Sequence, residues 1–256
     1  MEQVEHDGRK TAYRVAQPAG DGQTVVYVHG SGGTHRLWAA QYGPRGPSHP
    51  AVALDLSGHG DSEDIDADVG IATIRAYADD VRAVASAVDA DILVGHSLGG
   101  AVVQQLLLDG ETTVEGAVLA GTGAALPVAE SLRDRLSTEF EAAIDWLHDD
   151  GRLFYDTHDR MVGQSRETMQ SVGATVTKRD FLSCHAFDVR DRVSEIDCPV
   201  LAVVGEYDRL TPIGNHEFLA NELPNGRLAV VEDAGHLAMI EQPIAFASAI
   251  EALLAD

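Results

Sequence analysis

Ser97, Asp208 and His236 stand where nucleophilic acyl chemistry would need a serine, an acid and a base. Ser97 follows the apolar run Asp91-Ile-Leu-Val, within Gly95-His96-Ser97-Leu98-Gly99-Gly100, and a helix-compatible stretch from Ala101 to Leu108 comes after it. Gly-x-Ser-x-Gly between a strand and a helix is the pattern of a nucleophile elbow, a sharp turn that presents the hydroxyl above a sheet. The helix starting behind the serine aims unpaired N–H groups and a positive partial charge at developing negative charge. Serine is a weak nucleophile without an oriented base. Asp208 lies just past the apolar run that ends at Gly205, and His236 just past the run that ends at Val231. In an open α/β sheet the carboxyl ends of strands are where ligands bind, so the three side chains are expected to converge. His236 would take the Ser97 proton, and Asp208 would fix the imidazole tautomer and stabilise the imidazolium. Glu206 is the competing acid, and Asp208 is favoured because it lies further into the turn. Asp233 sits too close to His236 to fold back onto its ring. His148, His158 and His216 are read as surface or structural residues.

An acyl-transfer site also needs two donors for an oxyanion. The N–H of Leu98, directly after the serine, is one. The other is expected from Ser31, in Tyr27-Val28-His29-Gly30-Ser31-Gly32-Gly33, where glycines let a loop approach substrate closely. A plain strand–helix turn is the competing reading of that loop. It is not a P-loop, since no Gly-Lys-Ser/Thr follows. Gly121-Thr122-Gly123 lacks the third small residue of a dinucleotide loop, with Leu126 in its place. No histidine or cysteine spacing suggests a metal, and neither metal nor cofactor is expected.

The elements that must position these residues are short β-branched runs alternating with helical patterns. Strands are expected at 24–28, 51–54, 91–94, 116–120, 199–204 and 227–231, with another near 11–15. Their continuous apolar character fits strands covered on both faces. Ile74, Tyr77, Ala78, Val81, Val84, Ala85 and Val88 trace one helical stripe, and Ile244, Ala247, Ile250 and Leu254 another, after a Pro243 placed to start a helix. From 124 to 188 the alternation stops. Leu132, Leu136, Phe140, Ala143 and Leu147 suggest one helix there, and residues 166–176 a second. The expected fold class is therefore α/β, a mostly parallel doubly wound sheet, with core segments 1–123 and 189–256 and a helical cap at 124–188.

Composition narrows the function classes. At 256 residues, 45% hydrophobic and 23% charged, the chain is globular in type, and no apolar run approaches the roughly 20 residues that span a bilayer. The acidic start, Met1 to Asp7, reads as lacking a secretory signal, and two cysteines, Cys184 and Cys198, fit reduced thiols in a cytoplasm. Asp and Glu number 41 against 18 Lys and Arg, a formal charge of −23. Binding to nucleic acid or to an anionic membrane surface is disfavoured, for want of a basic footprint. The acids spread from Glu2 to Asp256 rather than forming a tail, so a solvated anionic surface is expected rather than a docking face for a basic partner.

Taken together these residues resemble the α/β-hydrolase superfamily, in the group of small serine esterases with a helical cap. The resemblance runs from about Val25 to Leu254. It rests on His29-Gly30-Ser31-Gly32-Gly33, Asp55-Leu-Ser-Gly58-His59-Gly60-Asp-Ser62, Gly95-His96-Ser97-Leu98-Gly99-Gly100, Gly205-Glu-Tyr-Asp208-Arg-Leu-Thr-Pro212, and Gly235-His236 with Glu241-Gln-Pro243. It implies Ser97, Asp208 and His236 as the catalytic residues and Ser31 and Leu98 as oxyanion donors. His29, Gly30, Gly32, Gly33 and His96 would support them. The loop from Asp55 to Ser62 would be structural, and Trp38 would pack rather than line the pocket. Serine at the elbow argues against epoxide hydrolases and dehalogenases. The Gly-Gly-Ser-Trp-Gly usual in proline-specific aminopeptidases is absent, as is the Asn-bearing loop of carbon–carbon hydrolases. A cytoplasmic carboxylic-ester hydrolase acting on a small-molecule ester is the expectation. Perhydrolysis, thioester or lactone cleavage, and a ligand sensor built on the same scaffold stay open, as does oligomeric state.

With arginine kept and lysine confined to Lys10 and Lys178, the surface resembles those of halophilic proteins. Unscreened like charge destabilises a compact fold, and salt relieves it. The melting temperature should therefore rise from low to molar KCl; a flat or falling trend would contradict the halophilic reading.

Overall fold

The computed structural model describes residues 1–16, 22–42, 49–149, 151–156 and 158–254. The ranges 1–123, 124–188 and 189–256 each include a few positions outside those described. Among the described residues eight strands form one sheet: β1 (Glu2–His6), β2 (Arg9–Ala16), β3 (Val25–Val28), β4 (Ala51–Leu54), β5 (Ile92–His96), β6 (Gly116–Ala120), β7 (Val200–Gly205) and β8 (Gly226–Val231). Their order is β1-β2-β4-β3-β5-β6-β7-β8, with β3 to β8 parallel and the β1–β2 hairpin antiparallel at one edge. The helices are α1 (Ala39–Tyr42), α2 (Ile71–Ala87), α3 (Leu98–Asp109), α4 (Glu130–Thr138), α5 (Phe140–His148), α6 (Asp159–Val172), α7 (Ala174–Ala186), α8 (Ile213–Glu222), α9 (Ala238–Glu241) and α10 (Pro243–Leu254).

Alternation along each central strand explains why these runs are apolar throughout. Val26 and Val28, Leu93, and Ala117 and Leu119 face one core, shared with α2, α3 and α8. Val25 and Tyr27, Ile92 and Val94, and Val118 and Ala120 face the other, with Trp38, α9 and α10. A strand buried on both faces has no polar side to show, so its sequence cannot alternate. Trp38 is fully buried and packs against Tyr27 and Phe246, with ring centroids 5.0 and 6.0 Å apart.

Strand order sets where a site can open. β4 lies on one side of β3 and β5 on the other, so the connections leaving β3 and β5 diverge between neighbouring strands. Val28 pairs with Gly95, so the loop through Ser31 and the turn at Ser97 leave the sheet side by side at this switch point. Gly205 pairs with Val231 in the same way, which brings the turns carrying Asp208 and His236 together.

Two helix expectations are corrected. The single helix through Leu132 to Leu147 is two, α4 and α5, parted at Glu139 (φ −146°, ψ 77°), whose extended backbone cannot continue a helix. The helix at 166–176 straddles α6 and α7, separated by Gly173 at φ 88°. The acidic start, for which no strand was expected, forms β1, closed onto β2 through Asp7 and Gly8, both at positive φ. The four inserted helices leave after β6 and return where Val189 N–H donates to Ala124 O (2.8 Å), beside the Ala125–Asp188 bridge. Among the described residues no helix is long and apolar enough to cross a membrane. Replacing Trp38 by Ala should cost about 3–5 kcal/mol of unfolding free energy; a denaturant midpoint equal to wild type would show that the ring is not part of the packed core.

Candidate active site

β5 runs straight into α3 with one residue between them. That residue, Ser97, holds φ 53° and ψ −114°, a conformation costing a non-glycine residue about 1–3 kcal/mol. The surroundings compel it. Ser97 N–H donates to Ala120 O (2.9 Å), while Ser97 O accepts from Gly100 N (2.9 Å), Ala101 N (3.2 Å) and Thr122 Oγ1 (2.9 Å). Gly99 packs so tightly under β3 that a Cβ there would stand 2.5 Å from Val28 O. Leu98 is the first residue of α3, so its N–H has no carbonyl of the helix to pair with; its side chain is buried in the core.

The Ser31 amide is aimed from behind. Its peptide partner, the Gly30 carbonyl, accepts from Gly33 N–H (3.0 Å) and from His29 Nδ1 (2.9 Å). A trans peptide is planar, so bonds to that oxygen restrain one end of the plane that carries the Ser31 N–H. His29 itself does not line the cavity: its Nε2 accepts from Leu56 N (3.1 Å), and the ring is fully buried beneath the loop. Gly30 leaves room for His96, whose Nδ1 would lie 2.8 Å from a Cβ at that position.

His236 Nδ1 lies 2.9 Å from Asp208 Oδ2. The donated proton on Nδ1 leaves Nε2 as the ring's acceptor. His96 Nε2 donates to the His236 carbonyl (3.1 Å), and Gly235 N–H donates to Glu241 (2.7 Å), so the histidine's loop is held on both sides. Asp208 uses both oxygens fully: Oδ1 accepts from Leu210 N and Thr211 N (2.9 Å each), and Oδ2 from Thr211 Oγ1 (2.8 Å) and His236. Burial pushes its pKa up, but the His236 charge and these bonds prevail and hold it at about 2. Glu206 is not brought to His236; it accepts the Asp233 N–H instead (3.4 Å).

Ser97, His236, Ser31, Gly30, Gly32, Gly33 and His96 all line one cavity of about 880 Å³. Residues 124–188 supply apolar lining from Leu132, Trp146, Leu153, Met161, Met169 and Phe181, interspersed with polar Gln164, Glu167 and Thr168. Asp55 stays clear of the cavity and ties its own loop through His35 N (2.7 Å) and Asp61 N (3.1 Å). Three contributors escaped the sequence reading. Thr211 locks Asp208, and the spacing Asp208-x-x-Thr211 was its only signal. Thr122 holds the elbow, and the wall residues, most of them on helices, carry no strand-end cue.

A model of the alpha/beta hydrolase family matches residues 25–249. The chain belongs to the alpha/beta hydrolase family. Among curated proteins, a proline iminopeptidase (PfmaB) of Pestalotiopsis fici is 27% identical over 94% of this chain and 95% of its own. A pimeloyl-[acyl-carrier protein] methyl ester esterase of Neisseria meningitidis is 30% identical over 88% of this chain and 90% of its own. Among solved structures, a thermophilic esterase matches with a TM-score of 0.87 and 30% identity, covering 99% of this chain and 96% of that one.

In this hydrolase the histidines around the site are kept neutral by burial. His29 is lowered to about 4 by desolvation and by neighbouring His59, and His216, whose Nε2 accepts from Thr122 N (3.0 Å), is lowered to about 4 by desolvation. His96 falls well below its ordinary value, through desolvation and then His236. Each binds a proton in the unfolded chain near pH 6.5 but resists it when folded, so stability is complete above that pH and falls as pH drops from 6.5 toward 4. Each such proton steepens the fall by about 1.4 kcal/mol per pH unit. The melting temperature should therefore drop steeply between pH 6.5 and 4, before Asp208 titrates. A melting temperature constant from pH 7 to 4 would contradict the burial of these rings as neutral species.

Proposed function

We propose that this hydrolase cleaves carboxylic esters of small or medium size through an acyl-enzyme. The observation that carries the reading is the His236 Nδ1–Asp208 Oδ2 hydrogen bond of 2.9 Å, with His236 and Ser97 on the wall of one cavity. Ser97 Oγ attacks the ester carbonyl as His236 Nε2 takes its proton. The oxyanion is held by the N–H groups of Leu98 and Ser31, which act best as fixed dipoles in a site closed to bulk water. The imidazolium, stabilised by Asp208, protonates the leaving alcohol. Water then attacks the acyl group, giving its proton to His236, and the acid departs as Ser97 regains its hydrogen.

Residues 124–188 serve as a cap over the sheet. Their apolar side chains on the cavity wall suit an acyl chain or an apolar alcohol, and the elbow Gly95-His96-Ser97-Leu98-Gly99 lacks the Gly-Gly-Ser-Trp-Gly usual in proline-specific aminopeptidases. Cys184 and Cys198 are both free, in keeping with a reducing cytoplasm.

Hydrolysis of p-nitrophenyl esters of increasing chain length tests the reading. Wild type should turn over with a pre-steady-state burst, Ser97→Ala should abolish turnover, and Asp208→Asn should lower kcat by about 10⁴. Undiminished activity in Ser97→Ala would falsify the assignment.

A further inference from the structure

Asp180 lies outside the chemistry above, yet it reaches the loop that supplies Ser31. It sits on α7, in the inserted segment, and is fully buried. Oδ2 accepts the Gly32 N–H and a His59 Nε2 proton, both at 2.9 Å, and Oδ1 accepts from Tyr77 Oη at 2.8 Å. One carboxylate thus joins the inserted segment, the Asp55–Ser62 loop, α2 and the loop after β3. His59 faces oxygen on both sides, since its Nδ1 lies 3.1 Å from Ser57 O. With both ring nitrogens donating, the imidazole is cationic and balances Asp180. Their pKa shifts agree: burial opposes each charge, but the partner overcomes it, raising His59 and lowering Asp180. Arg179 adds a second cation nearby, with Nε 3.2 Å from Tyr77 Oη and an ion pair to Asp64.

The link to Ser31 is geometric. The Gly30–Ser31 peptide is pinned through its oxygen by Gly33 and His29, and the Ser31–Gly32 peptide is pinned through its nitrogen by Asp180. Only φ and ψ of Ser31 connect these two planes, so holding both planes leaves the Ser31 N–H one direction. Gly32 is at φ 64°, a glycine conformation with no side chain to anchor it, and a Cβ there would stand 3.0 Å from Met169. α7 also reaches Ser31 one turn further on, where Cys184 Sγ lies 3.8 Å from Ser31 Oγ. Removing Asp180 leaves the second plane free to turn and the Ser31 N–H free to drift off the oxyanion.

We propose that Asp180, backed by His59, is a positioning residue for the oxyanion site, by which the inserted helices set the aim of the Ser31 N–H. The proposal rests on the ester-hydrolase reading of that site and adds a residue to it. Because a misaimed donor costs transition-state binding more than substrate binding, the loss should appear in kcat and not in KM.

The test compares Asp180→Ala and the isosteric Asp180→Asn with Val84→Ala, a core variant on α2 matched as a destabilised control. Below the melting temperature of each, Asp180→Ala should lose about 10- to 100-fold in kcat, somewhat less than removing a donor outright. KM should stay within about threefold of wild type, as expected when an interaction is made only in the transition state. Affinity for a boronic acid that forms a tetrahedral adduct should fall by the same factor as kcat. Asp180→Asn, which keeps an oxygen for Gly32, should lose less, and Val84→Ala should keep wild-type kcat. Hydrogen exchange over residues 29–34 should quicken in Asp180→Ala, a readout that needs no turnover. Wild-type kcat in Asp180→Ala, or an equal kcat loss in Val84→Ala, would overturn the proposal, as would unchanged exchange over 29–34. Failure of the ester reading would show differently, as turnover that survives in Ser97→Ala.

Discussion

Ser97 occupies a backbone conformation that no isolated chain would choose, and much of the molecule is arranged to enforce it. β5 must end and α3 must begin within a single residue, which requires a buried carbonyl on β6 to accept the Ser97 N–H and Thr122 to cap its oxygen. It also requires β3 to pass so close that Gly99 has no room for a side chain. In this sheet those demands are met at the switch point between β3 and β5, where neighbouring strands send their loops apart. The strained turn, the glycine loop beside it and the cavity between them follow from one constraint of topology.

The same constraint explains why the convergence of these residues was legible in the sequence. Ser97, Asp208 and His236 each sit just beyond a continuous apolar run, and a doubly wound sheet brings the ends of such runs to one edge. The choice of Asp208 over Glu206 was legible for a similar reason: the turn places the later residue deeper, where Thr211 and the backbone can bind it. Elements that depend on weak local pattern were not legible. β1 presents only Val4 as an inward apolar residue among Glu2, Gln3, Glu5 and His6, and its real cue was the Asp7-Gly8 turn. The break at Glu139 leaves the apolar spacing of α4 and α5 almost continuous, so periodicity alone joined them. Asp180 gave no signal at all, because a carboxylate within a helical pattern reads as a solvated face until tertiary packing buries it.

Charge is handled in opposite ways inside and outside the protein. The surface carries the bulk of a formal charge of −23. Buried carboxylates, by contrast, are each matched by a defined donor set: Asp208 by His236 and Thr211, Asp180 by His59, Tyr77 and Gly32, and Asp80 by Arg9, Thr11 and Ser57. A buried charge stripped of its partner is strongly destabilising, so these sets fix geometry as well as neutralise charge. Around the elbow, His29, His96 and His216 serve instead as neutral hydrogen-bonding groups. In the proposed mechanism the proton chemistry is left to His236, whose ring is tied to Asp208 and lines the cavity.

The central claim is that an acyl group passes through Ser97, and trapping that intermediate tests it most directly. A slow ester substrate, quenched in acid within the first turnover and followed by peptide mass spectrometry, should show the acyl mass on the peptide containing Ser97. This adduct should form at the rate of the burst and decay at the rate of steady turnover. Turnover without any adduct, or an adduct on another residue that forms and decays at those rates, would contradict it.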